Sequence, residues 1–451
     1  MSLSGLLDIA RSGLLSQSGA LGITGQNVTN ATTAGYTKRV ASLTPQVGGG
    51  VTFNGEIRSF DRFAYAHVVQ QTGLQSAASA RANALASIEA IMAPTSGTIG
   101  DRATALMGSL TTLTAYPTDT AVRSDVLSKV DDLSSTISNA SRALSDSSKE
   151  LFQQGQGVVS DLNDRLTHIA DLNDKIAEAQ ALGSDASNLR DQRDVYVKDV
   201  SERVGARAIE DAQGRVTLFG AGAVLVEGNR TNPLTLDLDP GGKMRITVKG
   251  ASNIDVTARV DSGTLGGLRE ARDVDLAASQ TGLDAYAFDV ANTLNAAHAA
   301  GFGSDGVDGR PLFAVSTTKA GAASTLAIDP GMVGHPELVA AAGSVAELPG
   351  GNSGALAMAA LAESDSFGGT TITNRFANLA SDVGARKLNA ESEKSLRDDT
   401  LSLATTMSQS ASGVSLDEEM IDMSKYQRAF EASSKVLQTA NELLDNFLRE
   451  I

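Results

Sequence analysis

Cysteine and tryptophan are both missing from the 451 residues, and aromatic residues make up only 4%. Without cysteine there is no disulfide framework, no thiolate metal site and no thiol nucleophile. The four histidines, His67, His168, His298 and His335, are scattered without an i,i+4 pair, so no multi-histidine metal centre is expected. Basic charge is in deficit: 37 Lys and Arg stand against 53 Asp and Glu, a net charge of −16. That balance opposes nonspecific binding to nucleic acid or to an anionic membrane. No stretch of apolar residues is long enough to cross a bilayer. The N-terminus lacks a basic start, and Asp8 and Arg11 interrupt its apolar residues. No cleavable signal peptide is therefore expected, and export would need a route that does not read one.

Glycine (44 residues) and alanine are abundant, and hydrophobic residues reach 41%. A chain this long can bury a core and has the length of about three domains. With so few aromatics, helices are expected to meet through small side chains.

The two ends carry heptads. Leu7, Leu14, Leu21 and Val28 are spaced by seven, with Leu3 and Ala10 beginning a second seam row that turns polar at Gln17 and Thr24. Gly5, Gly13, Gly19, Gly22 and Gly25 lie in the same stretch. Each glycine costs a helix interior ~1 kcal/mol, so five together cost about 5 kcal/mol. This segment is expected to form a helix only when a partner covers its seam. At the other end, Leu416, Met423, Phe430, Leu437, Leu444 and Ile451 repeat at seven, with no Gly or Pro after Gly413. Tyr426, Ala440 and Phe447 fill the second row, with Glu419 and Ser433 as polar exceptions. Ser415 to Glu418 reads as a capping box, and the early acids suit a helix N-terminus. A helix of ~37 residues, about 55 Å long, is predicted. The two terminal seams are expected to pair with each other and with neighbouring copies, the alternatives on periodicity alone being an ordinary core helix at each end or a dimerising coiled coil.

Between the ends the period changes twice. Val130, Ile137, Leu144, Leu151 and Val158 repeat at seven, then shift by four to Leu162, Ile169 and Ile176 near Gly155 and Gly157. The shift reads as a stutter or a break. Segments 74–92, 99–114 and 186–204 are also predicted to be helical. Residues 205–262 alternate and are rich in turns, which predicts a small antiparallel β unit. Helical periodicity returns over about 266–300 and 374–410, and 301–355 is rich in Gly, Ser and Pro. The fold class is mainly α with a β insertion, elongated, with discontinuous domains. The expected divisions are a terminal coiled-coil domain (1–60 and 405–451) and a helical rod (61–204, 265–300 and 356–404). A β domain (205–264) and an irregular segment or outer-domain remnant (301–355) complete the chain.

No catalytic constellation emerges. The glycine clusters lack phosphate-loop spacing, no nucleophile elbow occurs, and Asp305-Gly-Val-Asp308-Gly309 lacks the ligand alternation of a calcium loop. His298 has no identifiable acid–base partner and reads as a packed or capping histidine. No cofactor, metal or catalytic residue is assigned.

Gly25 to Arg39, containing Asn27, Asn30, Gly35 and Tyr36, resembles the N-terminal signature of bacterial flagellar axial proteins. Ser412 to Glu419, with Asp417, Glu418 and Glu419, followed by Gln427 in Tyr426 to Ser433, resembles their C-terminal signature. Four further motifs are similar to the hook-associated protein 1 family: Tyr116–Arg123, Asn188–Asp194, Gly263–Asp273 and Asn295–His298. Gly309–Phe313 is similar to it as well. The resemblance implies a non-enzymatic subunit of the hook–filament junction that assembles as a ring through its terminal helices. It further implies hook protein and the next junction protein as partners, and an export chaperone at the C-terminal helix. The implied location is the extracellular flagellum, reached by type III export. Another axial protein (hook, rod or flagellin-like) is the alternative, and a secreted enzyme carrying flagellar termini is a more distant one.

Overall fold

The computed structural model describes residues 2–47, 49–250 and 253–450. Helix α1 (Leu3–Asn30) leads into an antiparallel hairpin, β1 (Arg39–Pro45) and β2 (Val51–Arg58). Helices α2 (Arg62–Met92), α3 (Ile99–Ala115), α4 (Thr120–Ala181) and α5 (Ser187–Val204) follow. Strands β3 (Ala206–Glu210), β4 (Val216–Gly220), β5 (Ala223–Glu227) and β6 (Arg230–Thr231) form one antiparallel sheet in that order. A second sheet holds β7 (Leu234–Leu238), β8 (Met244–Val248) and β9 (Ile254–Asp255). The chain returns to helix in α6 (Gly263–Glu270), which continues through a π-helical turn, Ala271–Leu276, into α7 (Ala277–Ala299). Short pieces come next: β10 (Phe313–Ala314), α8 (Ala322–Thr325), β11 (Ala327–Ile328) and α9 (Ser353–Ala360). Two long helices end the chain, α10 (Ile372–Ser412) and α11 (Leu416–Glu450). Among the described residues, no helix is long and apolar enough to cross a membrane.

Local chemistry sets the helix starts. Asp61 accepts from the N–H groups of Phe63 and Ala64, so α2 begins at Arg62 rather than near 74 as its periodicity suggested. Thr98 and Asp101 close a reciprocal capping box on α3, and Asp119 caps α4. The box expected at Ser415–Glu418 does not form among the described residues. Glu418 instead accepts from Lys38 Nζ at 2.8 Å.

Helix α4 runs unbroken for 62 residues, about 93 Å. Its first half buries Val126, Val130, Leu133, Ile137 and Leu144 in a helical core with α2, α3, α7 and α10. Its second half buries Leu162, Leu166 and Ile169 in a separate core with α5 and the two sheets. The four-residue shift in the heptad marks this change of partner. Gly155 does not break the helix. Leu236 of β7 lies against it, so close that an added Cβ would come within 2.8 Å of that side chain. Similarly, Gly267 in α6 faces the backbone of Ala77 in α2, and a Cβ there would overlap the Ala77 carbonyl oxygen. The π turn then presents Asp275, fully buried, to Arg81 Nε of α2 at 2.8 Å and Arg386 Nη1 of α10 at 3.5 Å.

The segment 301–355 is irregular, and it packs into the helical core. Leu312, Phe313, Met332, Val339 and Ala341 enter the same core as the helices. Side chains fasten its backbone at several points, among them Asp284, which accepts from the N–H groups of Gly321 and Ala323. Asn295 Oδ1 accepts from the N–H groups of Leu312 and Phe313, both at 2.8 Å, and its amide donates to the Phe313 carbonyl. Arg123, buried and held below its ordinary pKa by desolvation, donates to the carbonyls of Pro117 and Val339. His298 Nε2 accepts from Ala340 N–H at 2.9 Å, and Nδ1 lies 2.7 Å from the Arg310 carbonyl. These partners require the neutral imidazole with its proton on Nδ1. The expected rod boundary at 405 also moves, because α10 continues to Ser412 and the break falls at Gly413–Ser415.

Burial lowers the His298 pKa from 6.5 to about 4. A depressed basic group contributes stability that is complete above pH 6.5 and is lost as pH falls through 4. Denaturant titrations of wild type and His298→Ala across this window should therefore converge, the wild-type advantage shrinking by on the order of 3 kcal/mol. A gap that stays constant with pH would contradict the neutral buried state.

Candidate assembly interface

Helices α1 and α11 lie antiparallel along each other. Gly13 faces Ser433, and Asn27 bonds Glu419. Fourteen residues forward on α1 thus match fourteen residues back on α11, a constant register along the pair. The glycines have different surroundings. A Cβ on Gly13 would come within 2.9 Å of Ser433 Oγ, and one on Gly19 within 3.0 Å of the Phe53 ring of β2. Gly22 and Gly25 have nothing within 4 Å.

The fully buried residues of α1 include Ala10, Ala20, Ile23, Thr24 and Asn27. Leu7, Leu14, Leu21 and Val28 are half-buried at the margin of that face. On α11, Glu419 and Ala440 are buried, and Met423, Leu437 and Leu444 are half-buried. Leu416 and Phe430 remain 51% and 37% exposed. Met420, Ile421, Val436 and Leu443 are exposed as well, so α11 carries more apolar surface than α1 covers. Ile451 and the Phe447 side chain lie outside the described residues.

The two chain ends are tied at Asn27. Its Oδ1 accepts from the Arg39 N–H and from Tyr36 Oη, each at 2.9 Å. Its Nδ2 donates to the Arg39 carbonyl at 2.8 Å and to Glu419 Oε2 at 2.9 Å. An amide side chain has two donors and two acceptor sites, and here all four are used in a buried position. Lys38 approaches Glu418 at 2.8 Å and Glu419 at 3.4 Å, and the Glu418 hydrogen bond raises its pKa. Burial raises the pKa of Tyr36. Gly35 has φ +80°, and a Cβ there would also run into Val195 of α5.

The hairpin then bonds to the body through a buried ionic cluster. Arg39 pairs with Asp191 and donates to Asn188 Oδ1 at 3.1 Å. Arg58 bridges Asp191 at 2.8 Å and Asp194 at 2.7 Å. Thr37 Oγ1 donates to Asp191 at 2.7 Å. Burial pushes the Asp194 carboxyl up even though Arg58 opposes the shift. Main-chain bonds add a second tie: Lys38 N–H donates to the Ser412 carbonyl at 2.9 Å. The buried apolar residues Ala10, Ala20, Ile23 and Ala440 belong to neither large core. The junction between the terminal unit and the rod is therefore mainly polar.

Of the eight signature residues singled out in the sequence, Asn27, Gly35, Tyr36, Glu418 and Glu419 converge here. Asn30 instead bonds Gln26 and Thr33 at the end of α1, and Asp417 and Gln427 face solvent. Asn188, Asp191 and Asp194 lie in one sequence motif and Thr37 in another, neither with an assigned role, and Arg58 lies in none. The available signal was two acids at i,i+3 on one helix, but nothing local links them to cations more than 130 residues away.

A family model described as the flagellar hook-associated protein FlgK helical domain matches residues 85–313. A second, the flagellar basal body rod FlgEFG protein C-terminal model, matches 408–450. Flagellar hook-associated protein 1 of Salmonella typhimurium is 24% identical, over 99% of this chain and 100% of that protein. The Bacillus subtilis protein of the same name is 25% identical, over 98% and 97%. The solved structure of the flagellar hook junction protein FlgK from Burkholderia pseudomallei is similar with a TM-score of 0.51 at 27% identity. That likeness spans 55% of this chain and 46% of the other, less than half of its length.

Replacing Asp191 with alanine leaves Arg39 buried without its main counter-ion, which should cost about 3 kcal/mol or more. Limited proteolysis should then cut faster at 31–38 and 413–415, while the helices of the rod melt as before. Unchanged cleavage would show that this carboxylate does not hold the junction.

Proposed function

The chain belongs to the flagellar hook-associated protein FlgK family, and from this premise we propose that it is a structural subunit of the hook–filament junction. The family is a structural one of the flagellum, and the reading assigns this chain no catalytic role. Subunits join as a ring through the paired terminal helices, between hook protein on one side and the next junction protein on the other. The observation that carries this reading is the pairing of the two chain ends. Both axial signatures meet at Asn27 and Glu419, and α11 keeps apolar side chains in solvent beyond its contact with α1. Exposed Leu416, Met420, Ile421 and Leu443 give neighbouring copies a surface to bury. Before assembly, the same surface suits an export chaperone that covers an amphipathic helix. The subunit then reaches the extracellular flagellum through the flagellar type III route.

Deleting the gene should leave cells with hooks but no filaments, and flagellin should appear in the medium. Normal filaments on such cells would defeat the proposal. Leu437→Asp places a charge on the α1–α11 face and should abolish complementation, while circular dichroism shows the rod helices intact. Full filament formation by that variant would remove the C-terminal seam from the mechanism.

A further inference from the structure

A groove runs along one face of α2, beginning beside the terminal junction at Asp194 and leading away from it. Three adjoining cavities of about 690, 370 and 240 Å³ form it, sharing Gln70 and Arg207 at one join and Leu74 and Asp261 at the next. From Arg62 to Arg81 the groove follows α2 for about 30 Å. Its opposite wall at the wide end is strand β3.

Three features of that wide end point to one kind of occupant. First, β3 is the outermost strand of its sheet. The bond from Asp211 N–H to the Arg215 carbonyl sets the ladder alternation. Arg207 and Ile209 therefore exchange ladder bonds with β4, while the main-chain groups of Ala208 and Glu210 point into the groove. Among the described residues, nothing bonds to those of Ala208. An open strand edge of this kind is a template for another strand.

Second, aromatic side chains collect here in a chain that has few. Phe60, Phe63 and Tyr65 line the groove, and Phe63 is 89% exposed. Third, the acids and bases are unequally satisfied. Asp194 is paired with Arg58, and Glu210 with Arg190 and Arg193. Arg62 and Arg207 are exposed, and among the described residues neither has a carboxylate within 4.0 Å. Arg62 also sits in the first turn of α2, where the helix dipole disfavours a cation. In a protein of net charge −16, two unpaired arginines beside an open strand edge form a local positive site.

We infer that this groove receives an extended segment of a partner protein, which adds to β3 as a strand and places acidic side chains against Arg62 and Arg207. Main-chain bonds to Ala208 supply the pairing, and Phe63 covers the incoming apolar side chains. A docked helix would leave the Ala208 groups unpaired and is disfavoured for that reason. The inference stands independently of the flagellar role.

Fluorescence anisotropy of the full chain tests it with three labelled octapeptides. One alternates valine with glutamate, one valine with lysine, and one is a helix-forming alanine–glutamate peptide. Saturable binding of the first is expected, at least tenfold tighter than either of the others. Phe63→Ser should weaken it about tenfold. Arg207→Glu should weaken it similarly and improve binding of the lysine peptide. Both changes lie on the surface and leave the cores untouched. No saturable binding up to about 1 mM, equal binding of the three probes, or indifference to both variants would overturn the inference. So would self-association of the chain in sedimentation that Arg207→Glu abolishes, because the occupant would then be a second copy.

Discussion

A buried amide must find a partner for every donor and acceptor it carries, or destabilise the fold that buries it. Asn27 meets this demand only when three separate parts of the chain are in place: the hairpin backbone at Arg39, the Tyr36 hydroxyl and the Glu419 carboxylate. Glu419 is itself buried and needs Lys38 nearby. The first and last helices therefore come together at one polar point. The glycine-loaded α1, a weak helix by composition, is held against α11 and the hairpin as a single unit. Arg39 extends the dependence outward. Its backbone satisfies Asn27 while its guanidinium reaches Asp191 in the rod.

The same device recurs along the molecule. Asn163 of α4 accepts from the Leu234 N–H and donates to its carbonyl, both at 2.9 Å. Asn173 accepts from the Val216 N–H and donates to the carbonyls of Val216 and Gly228, and Asn295 accepts from the N–H groups of Leu312 and Phe313 and donates to the Phe313 carbonyl. Each is a helical asparagine that satisfies the backbone of a strand or loop. In a chain without tryptophan and with few aromatics, shape-filling contacts are scarce. Fixed polar bonds to main chain take over the task of setting strands and irregular segments on the helices.

Periodicity revealed the long helices, the β unit and the α-β-α order, because burial on one face imposes a period that single residues display. It also recorded the hand-over along α4, where the heptad shifts as the helix passes from one core to the other. What stayed hidden is non-local and polar. Nothing in Asn188–Asp194 indicates that its acids meet arginines from the N-terminal hairpin, since no pattern encodes pairing across such a separation. Helix α2 starts earlier than its periodicity implies because one capping residue, Asp61, outweighs weak periodicity in the first turns. The packing of 301–355 is not legible locally because anchors such as Arg123, Asn295 and His298 lie on helices elsewhere in the chain.

These features join in one picture: two chain ends held as a unit, fastened by polar contacts to the body, with apolar surface left exposed on α11. Hydrogen exchange on the isolated full chain, comparing wild type with Asn27→Ala, tests its central claim most directly. If Asn27 ties the ends together, amides of α1 and α11 lose protection in step, while those of α3 and α4 keep theirs. Loss of protection in α1 alone, or no change in either helix, would contradict the account.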